Sequence, residues 1–223
     1  MQKRFDLVIL DLDGTMIDNR VAIRTNFNYT LGLHKYDPLP DKEIDSMIGT
    51  ALVEMFERTL LESDRHLAPQ MVDEYRERYS GTSHEGVVIL DGVVPMLEYL
   101  RQNGFKSAVA TTKADVEVHP LLQRIGLYGY FNLITGFREG IRTKPHPDMV
   151  QYIMRELDVR PERTALVGDT PTDIMTARNA GIYPIAVTTS VPLGMTTLDK
   201  IYAARPDVVI DSLRELPNHL YVE

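Results

Sequence analysis

Leu7-Val8-Ile9-Leu10-Asp11-Leu12-Asp13-Gly14-Thr15 is a short apolar run rich in branched residues, ended by two carboxylates two positions apart and then by Gly and Thr. Its length and bounding glycine predict a strand buried on both faces rather than a helix. Carboxylates are disfavoured where water is scarce, so a pair at the tip of such a strand calls for a cation. Alternate strand residues point the same way, which lets Asp11 and Asp13 address one site with Leu12 packed behind. Once Gly14 ends the strand this alternation loosens, and the second acid can swing over the site.

Moving outward, the pattern after Thr15 turns helical, with Val21, Phe27, Asn28 and Leu31 ahead of a stop at Gly32. Pro40-Asp41 opens a segment with Ile44, Met47 and Ile48 on one face, closed by Gly49. Thr50 reads as an N-cap before Leu52, Val53, Phe56, Leu60 and Leu61 at helical spacing. Pro69 starts a further helix that aligns Val72, Tyr75 and Tyr79 and ends at Gly81. Residues from about Met16 to His84 therefore read as a small helical bundle without a strand.

From Val87 the grammar alternates. Apolar runs at Ser107–Ala110, Asn132–Thr135, Thr164–Gly168, Pro184–Val187 and Asp207–Ile210 are separated by helical stretches. One of these carries Leu121, Leu122 and Ile125, with Pro120 placed in its first turn. This alternation predicts an α/β fold, a Rossmann-like parallel sheet with helices on both faces. Residues 1–15 and 87–223 would form that core, and 16–86 an inserted α-helical domain. Open parallel sheets bind ligands beyond the carboxyl ends of their strands. Asp11/Asp13, Thr111/Thr112 and Asp169 all stand at such ends, and Lys144 sits in a loop able to join them. Acids, hydroxyls and one ammonium at one rim make a metal-and-phosphate inventory.

Composition narrows the function. The 223 residues are 43% hydrophobic and 25% charged, ordinary for a globular chain, and the net charge of −8 argues against a nucleic-acid surface. Zero cysteines exclude disulfides, thiolate metal sites and thiol nucleophiles and fit a cytoplasmic protein. The basic Met1-Gln2-Lys3-Arg4 precedes an apolar run that Asp11 stops too early for a signal peptide, and no stretch is long enough for a bilayer. No Gly-x-Gly-x-x-Gly follows a strand, and no Gly-x-Ser-x-Gly supports a serine hydrolase.

Asp11-Leu12-Asp13-Gly14-Thr15, Thr111, Lys144-Pro145-His146-Pro147-Asp148 and Gly168-Asp169-Thr170-Pro171-Thr172-Asp173 resemble the four motifs of the haloacid dehalogenase superfamily, in its order and spacing. The insertion after the first motif resembles the helical C1 cap of the phosphoglycolate phosphatase-like branch, and Asp91-Gly92-Val93 its return to the core. The resemblance implies an Mg²⁺-dependent phosphatase acting on a small phosphorylated metabolite: a phosphoglycolate-like acid, pyrophosphate, a sugar phosphate or a nucleotide. Asp11 would be the nucleophile, forming an aspartyl-phosphate. Asp13 would be the general acid, then the base, with its backbone carbonyl on the metal. Thr111 would donate to a phosphoryl oxygen, and Lys144 would neutralise the transferring group.

Asp169 would complete the metal site with Asp11. Asp173 would cap its helix, contact Lys144 or the metal's outer sphere, or do both. Thr15, Thr112 and Gly49 are expected on the substrate side, Thr15 with the alternative of steadying the loop or the acid, and Gly49 within Met47-Ile48-Gly49-Thr50, which resembles the specificity loop of such caps. Arg20, Arg24 and Lys42 are candidate anchors for a second anionic group, while His146 reads as a loop residue. A β-phosphoglucomutase-like mutase and a non-catalytic phosphate-binding regulator are the rival readings. A monomer or homodimer is expected, without nucleic-acid or membrane partners.

Overall fold

The strand anticipated at the start of the chain forms over Leu7–Leu10, with all four side chains buried. Its faces divide as a period of two requires: Val8 and Leu10 join one hydrophobic cluster, Leu7 and Ile9 another. The computed structural model describes residues 2–222 and runs β1 (Gln2–Lys3), β2 (Leu7–Leu10), β3 (Ile17–Asp18), α1 (Arg20–Leu33), α2 (Asp41–Met47), α3 (Leu52–Thr59) and α4 (Ala68–Thr82). It continues β4 (Val88–Ile89), α5 (Val93–Gln102), β5 (Lys106–Ala114), α6 (Asp115–Arg124), β6 (Leu133–Phe137), α7 (Asp148–Glu156) and β7 (Thr164–Gly168). It closes with α8 (Pro171–Ala180), β8 (Tyr183–Val187), α9 (Leu198–Ala203), β9 (Val208–Ile210) and β10 (Tyr221–Val222), the last paired with β1.

The central sheet has the order β6-β5-β2-β7-β8-β9, and each neighbouring pair is parallel. β2 lies where the strand order reverses, between β5 and β7, which is where open α/β sheets form a ligand crevice. β7 splits its side chains as β2 does, Ala165 and Val167 to one cluster and Leu166 to the other. Helices cover both faces, so the fold is the expected Rossmann-like α/β architecture.

The helices α1–α4 build a second hydrophobic cluster, which Met195 from the loop after β8 joins. Phe27 and Phe56 stack at 4.4 Å between centroids, and Tyr75 continues from Phe56 to Tyr79, stacked on it at 5.1 Å. No helix among the described residues is long and apolar enough to cross a membrane.

Four local expectations need correction. The segment after Thr15 is not free of strand, because Ile17 and Asp18 pair antiparallel with Ile89 and Val88 where the chain leaves and re-enters the core. Gly32 does not stop α1; the left-handed residue that turns the chain is Lys35, at φ 62°. Pro120 lies inside α6, which begins earlier at Asp115 because Asp115 and Glu117 place two acids at its positive end. Finally, β5 does not end at Ala110. It runs to Ala114 through a register shift against β6, and that irregularity re-aims Thr111, Thr112 and Lys113.

Candidate active site

Two strand ends, the first turn of α8 and one loop converge on a single cluster. Asp11, just past β2, accepts a hydrogen bond from Lys144 Nζ at 2.6 Å, and the same ammonium donates to Asp173 Oδ1 at 2.5 Å. All three residues are buried. Burial works against the charged ammonium, but Asp11 and Asp173 overcome it and hold the Lys144 pKa above that of an ordinary lysine. Burial likewise pushes the Asp11 carboxyl up, with Lys144 pulling the other way. Asp173 both caps and pairs: its Oδ2 accepts from the Thr170 backbone N–H at 3.1 Å and the Thr170 hydroxyl at 2.7 Å, while Oδ1 holds Lys144.

Asp169, after β7, completes the cluster. Asp11, Asp169 and Asp173 each offer an oxygen within 4.8 Å of the others. Thr15, expected on the substrate, is instead fully buried and donates its hydroxyl to Asp169 Oδ1 at 2.6 Å. The chain needs glycine at two points here. Gly14 has φ +88°, and a Cβ on it would fall 2.4 Å from Asp169 Oδ2. A Cβ on Gly168 would fall 2.3 Å from Asp173.

Asp13 stands apart from that cluster. It lines a solvent-open cavity of about 990 Å³ between α1–α4 and the ends of β5 and β6. Its carboxylate lies 3.3 Å from Lys113 Nζ, which also donates to the Tyr79 hydroxyl at 2.9 Å. Asn19 Nδ2 donates to the same hydroxyl. Burial opposes the Lys113 charge, yet Asp13, Tyr79 and Glu117 raise its pKa, while burial raises Tyr79 to about 12. Lys113, Tyr79 and Asn19 are functional candidates that sequence reasoning missed. Lys113 lies beyond the point where the β5 pattern fades, and Tyr79 is hidden in a helical stripe that reads as core.

The remaining expected residues separate. Thr111 is buried, and its oxygen accepts from the Lys113 backbone N–H at 3.2 Å, which leaves its own proton for another acceptor. Thr112, Gly49 and the exposed His146 line the cavity. Gly49 has φ +97°, and a Cβ there would stand 3.5 Å from Thr170, so this turn of the helical segment meets the loop before α8. Arg20 is bound to Asp18 and the Leu193 carbonyl, Arg24 to Asp41 and Asp45, and Lys42 is exposed. None of these three lines the cavity, so they are not anchors for a second anion.

The cluster fits a divalent cation. Three buried carboxylates face a single ammonium, and Asp169 Oδ2 has no hydrogen-bond partner among the described residues. Burial first, then Asp173, pushes Asp169 up to about 7, and a cation among these oxygens would favour the ionised form. The donors are all oxygen, which suits a hard ion. Asp11 and Asp169 are the residues best placed to hold it, since both oxygens of Asp173 already have donors. Asp13 is outside this carboxylate set, so any contribution from it falls to its backbone carbonyl.

A family model for haloacid dehalogenase-like hydrolases matches residues 8–187. The chain is 34% identical over 220 residues to a Dickeya dadantii protein named "Probable phosphatase IndB", covering 94% of this chain and 91% of that protein. It is 29% identical over 213 residues to pyrophosphatase PpaX of Bacillus cereus, covering 96% and 95%. In three dimensions it superimposes on a haloacid dehalogenase-like hydrolase of Bacteroides fragilis with a TM-score of 0.86, at 25% identity, covering 95% of this chain and 99% of that one.

Proposed function

This chain belongs to the haloacid dehalogenase-like hydrolases, and on that premise we propose that it is an Mg²⁺-dependent phosphatase of small phosphomonoesters, with Asp11 as nucleophile. The observation that carries this reading is Lys144 Nζ at 2.6 Å from Asp11 Oδ1, with Asp169 and Asp173 completing one buried cluster.

In the first half-reaction an Asp11 carboxylate oxygen attacks phosphorus. The bond to the leaving oxygen breaks, and Asp13 hands that oxygen a proton, so an alcohol departs and an aspartyl-phosphate remains. Asp13, now ionised, takes a proton from a water as that water attacks the same phosphorus, which frees inorganic phosphate and restores Asp11. The Lys144 ammonium offsets negative charge on the transferring group as a fixed point charge. Thr111 donates its free hydroxyl proton to a phosphoryl oxygen. Thr15 holds Asp169 in place, and Lys113 holds Asp13 at the cavity edge. Bound Mg²⁺, held by Asp11 and Asp169 with the Asp13 carbonyl, would supply Lewis-acid stabilisation of the phosphoryl oxygens. The helices α1–α4 act as a cap that restricts water at the site.

Release of inorganic phosphate from p-nitrophenyl phosphate with Mg²⁺, abolished in Asp11→Asn, is the expected result. Interconversion of sugar phosphate isomers without phosphate release would assign a mutase instead. Ligand binding with no turnover of any phosphomonoester would assign a regulator.

A further inference from the structure

The cavity says something about the half of the substrate that leaves. Asp13 is the proposed proton donor to the leaving oxygen, and it lines this cavity, so the rest of the alcohol must extend into it. At about 990 Å³ the space lies at the upper end of ordinary small-molecule sites, roughly 300–1,000 Å³. A two-carbon acid or a second phosphate would leave most of it unfilled. The cap side of the wall is apolar, with Ile23, Ile48, Met55, Val72 and Tyr75 among its lining residues.

Charge points the same way. Five acids and four Lys/Arg side chains line the cavity, so it offers an anion no net attraction. Each cation is also matched by an acid of this chain. Lys113 lies 3.3 Å from Asp13, Arg76 3.4 Å from Glu117, Arg138 3.3 Å from Asp115 and Arg142 2.9 Å from Asp148. Each of these acids offsets the pull of its cation on an anionic group.

We propose that the alcohol half of the substrate is uncharged and mainly apolar, a carbon chain or ring seated between the cap and the β5–β6 edge. This rests on the phosphatase reading and narrows its substrate class.

The test compares kcat/KM of the wild-type enzyme with Mg²⁺ for ethyl, butyl and hexyl phosphate, phosphoglycolate and pyrophosphate. The alkyl alcohols leave with nearly equal ease, so the series reads seating alone. Efficiency should rise about fourfold for each methylene that enters the cavity, with phosphoglycolate and pyrophosphate below hexyl phosphate. Glu117→Gln frees Arg76 and should raise phosphoglycolate relative to ethyl phosphate about tenfold, a gain that misfolding cannot produce. A flat alkyl series, a preference for either anion, or an unchanged ratio in Glu117→Gln overturns the proposal while turnover itself keeps the phosphatase reading. Phosphate release from none of these esters, nor from p-nitrophenyl phosphate, overturns both.

Discussion

Thr15→Val removes one hydroxyl and almost no volume. In the wild type that hydroxyl donates to Asp169 Oδ1 at 2.6 Å, with both residues fully buried. Among the described residues Asp169 Oδ2 has no hydrogen-bond partner, so the substitution removes the donor that Oδ1 relies on. A hydrogen bond to a charged group is worth about 1.5–3 kcal/mol, or between about tenfold and a hundredfold in an equilibrium constant. The loss falls on the ionised form. Thr15 is one of the groups that restrain Asp169, which burial and Asp173 push up to about 7, so the variant titrates higher still.

Near neutral pH, Mg²⁺ must then displace a proton to bind. The Mg²⁺ concentration for half-maximal phosphate release should rise about ten- to a hundredfold, with little change in substrate KM at saturating metal. Calorimetric Mg²⁺ titration should show the same weakening, and Thr15→Ser should restore it. If KM rises while the Mg²⁺ dependence stays put, Thr15 faces substrate and the reasoning fails.

Three further outcomes are expected. Tyr79→Phe deletes the acceptor shared by Lys113 and Asn19, and should lower stability in urea by about 1–3 kcal/mol; an unchanged midpoint would mean the network carries no weight. Gly168→Ala places a Cβ 2.3 Å from Asp173 and should cost about 1–3 kcal/mol, with a drop in kcat as Asp173 moves off Lys144; full activity would contradict that packing. Because the Asp169 carboxyl is raised from an unfolded value near 4 to about 7, the folded, metal-free protein holds a proton that the unfolded chain has lost. That contribution is present below about pH 4 and gone above about pH 7. The thermal midpoint of chelated protein should therefore fall as pH rises from about 5 to about 7, and Mg²⁺ should reverse the trend; a midpoint that rises with pH in chelator would refute the assignment.

The sheet and the acids at its strand tips were legible because they depend on short-range pattern. β2 and β7 are apolar runs with polar tips, and Lys144 sits in a distinctive Pro-His-Pro-Asp setting. Asp173 was legible in both of its roles, since a Thr-x-x-Asp box and a nearby lysine can be read from spacing. Thr15 was legible as a hydroxyl beside the site, but sequence does not show which way it turns, and burial against Asp169 decided that. Lys113 escaped because a strand with a shifted register carries no period to follow. Tyr79 and Glu117 escaped because a helical stripe marks burial without revealing that a buried oxygen has a long-range partner. The pairing of each cavity cation with an acid is likewise a property of the folded chain.

The ribbon of Ile17–Asp18 against Val88–Ile89 brings the way out of the core and the way back side by side. Chain between two adjacent points can be rewritten, lengthened or traded while the scaffold on either side keeps its shape. Descendants of such a gene could therefore change what they admit beside the sheet by altering only that excursion, while the acids at the strand tips are inherited unaltered.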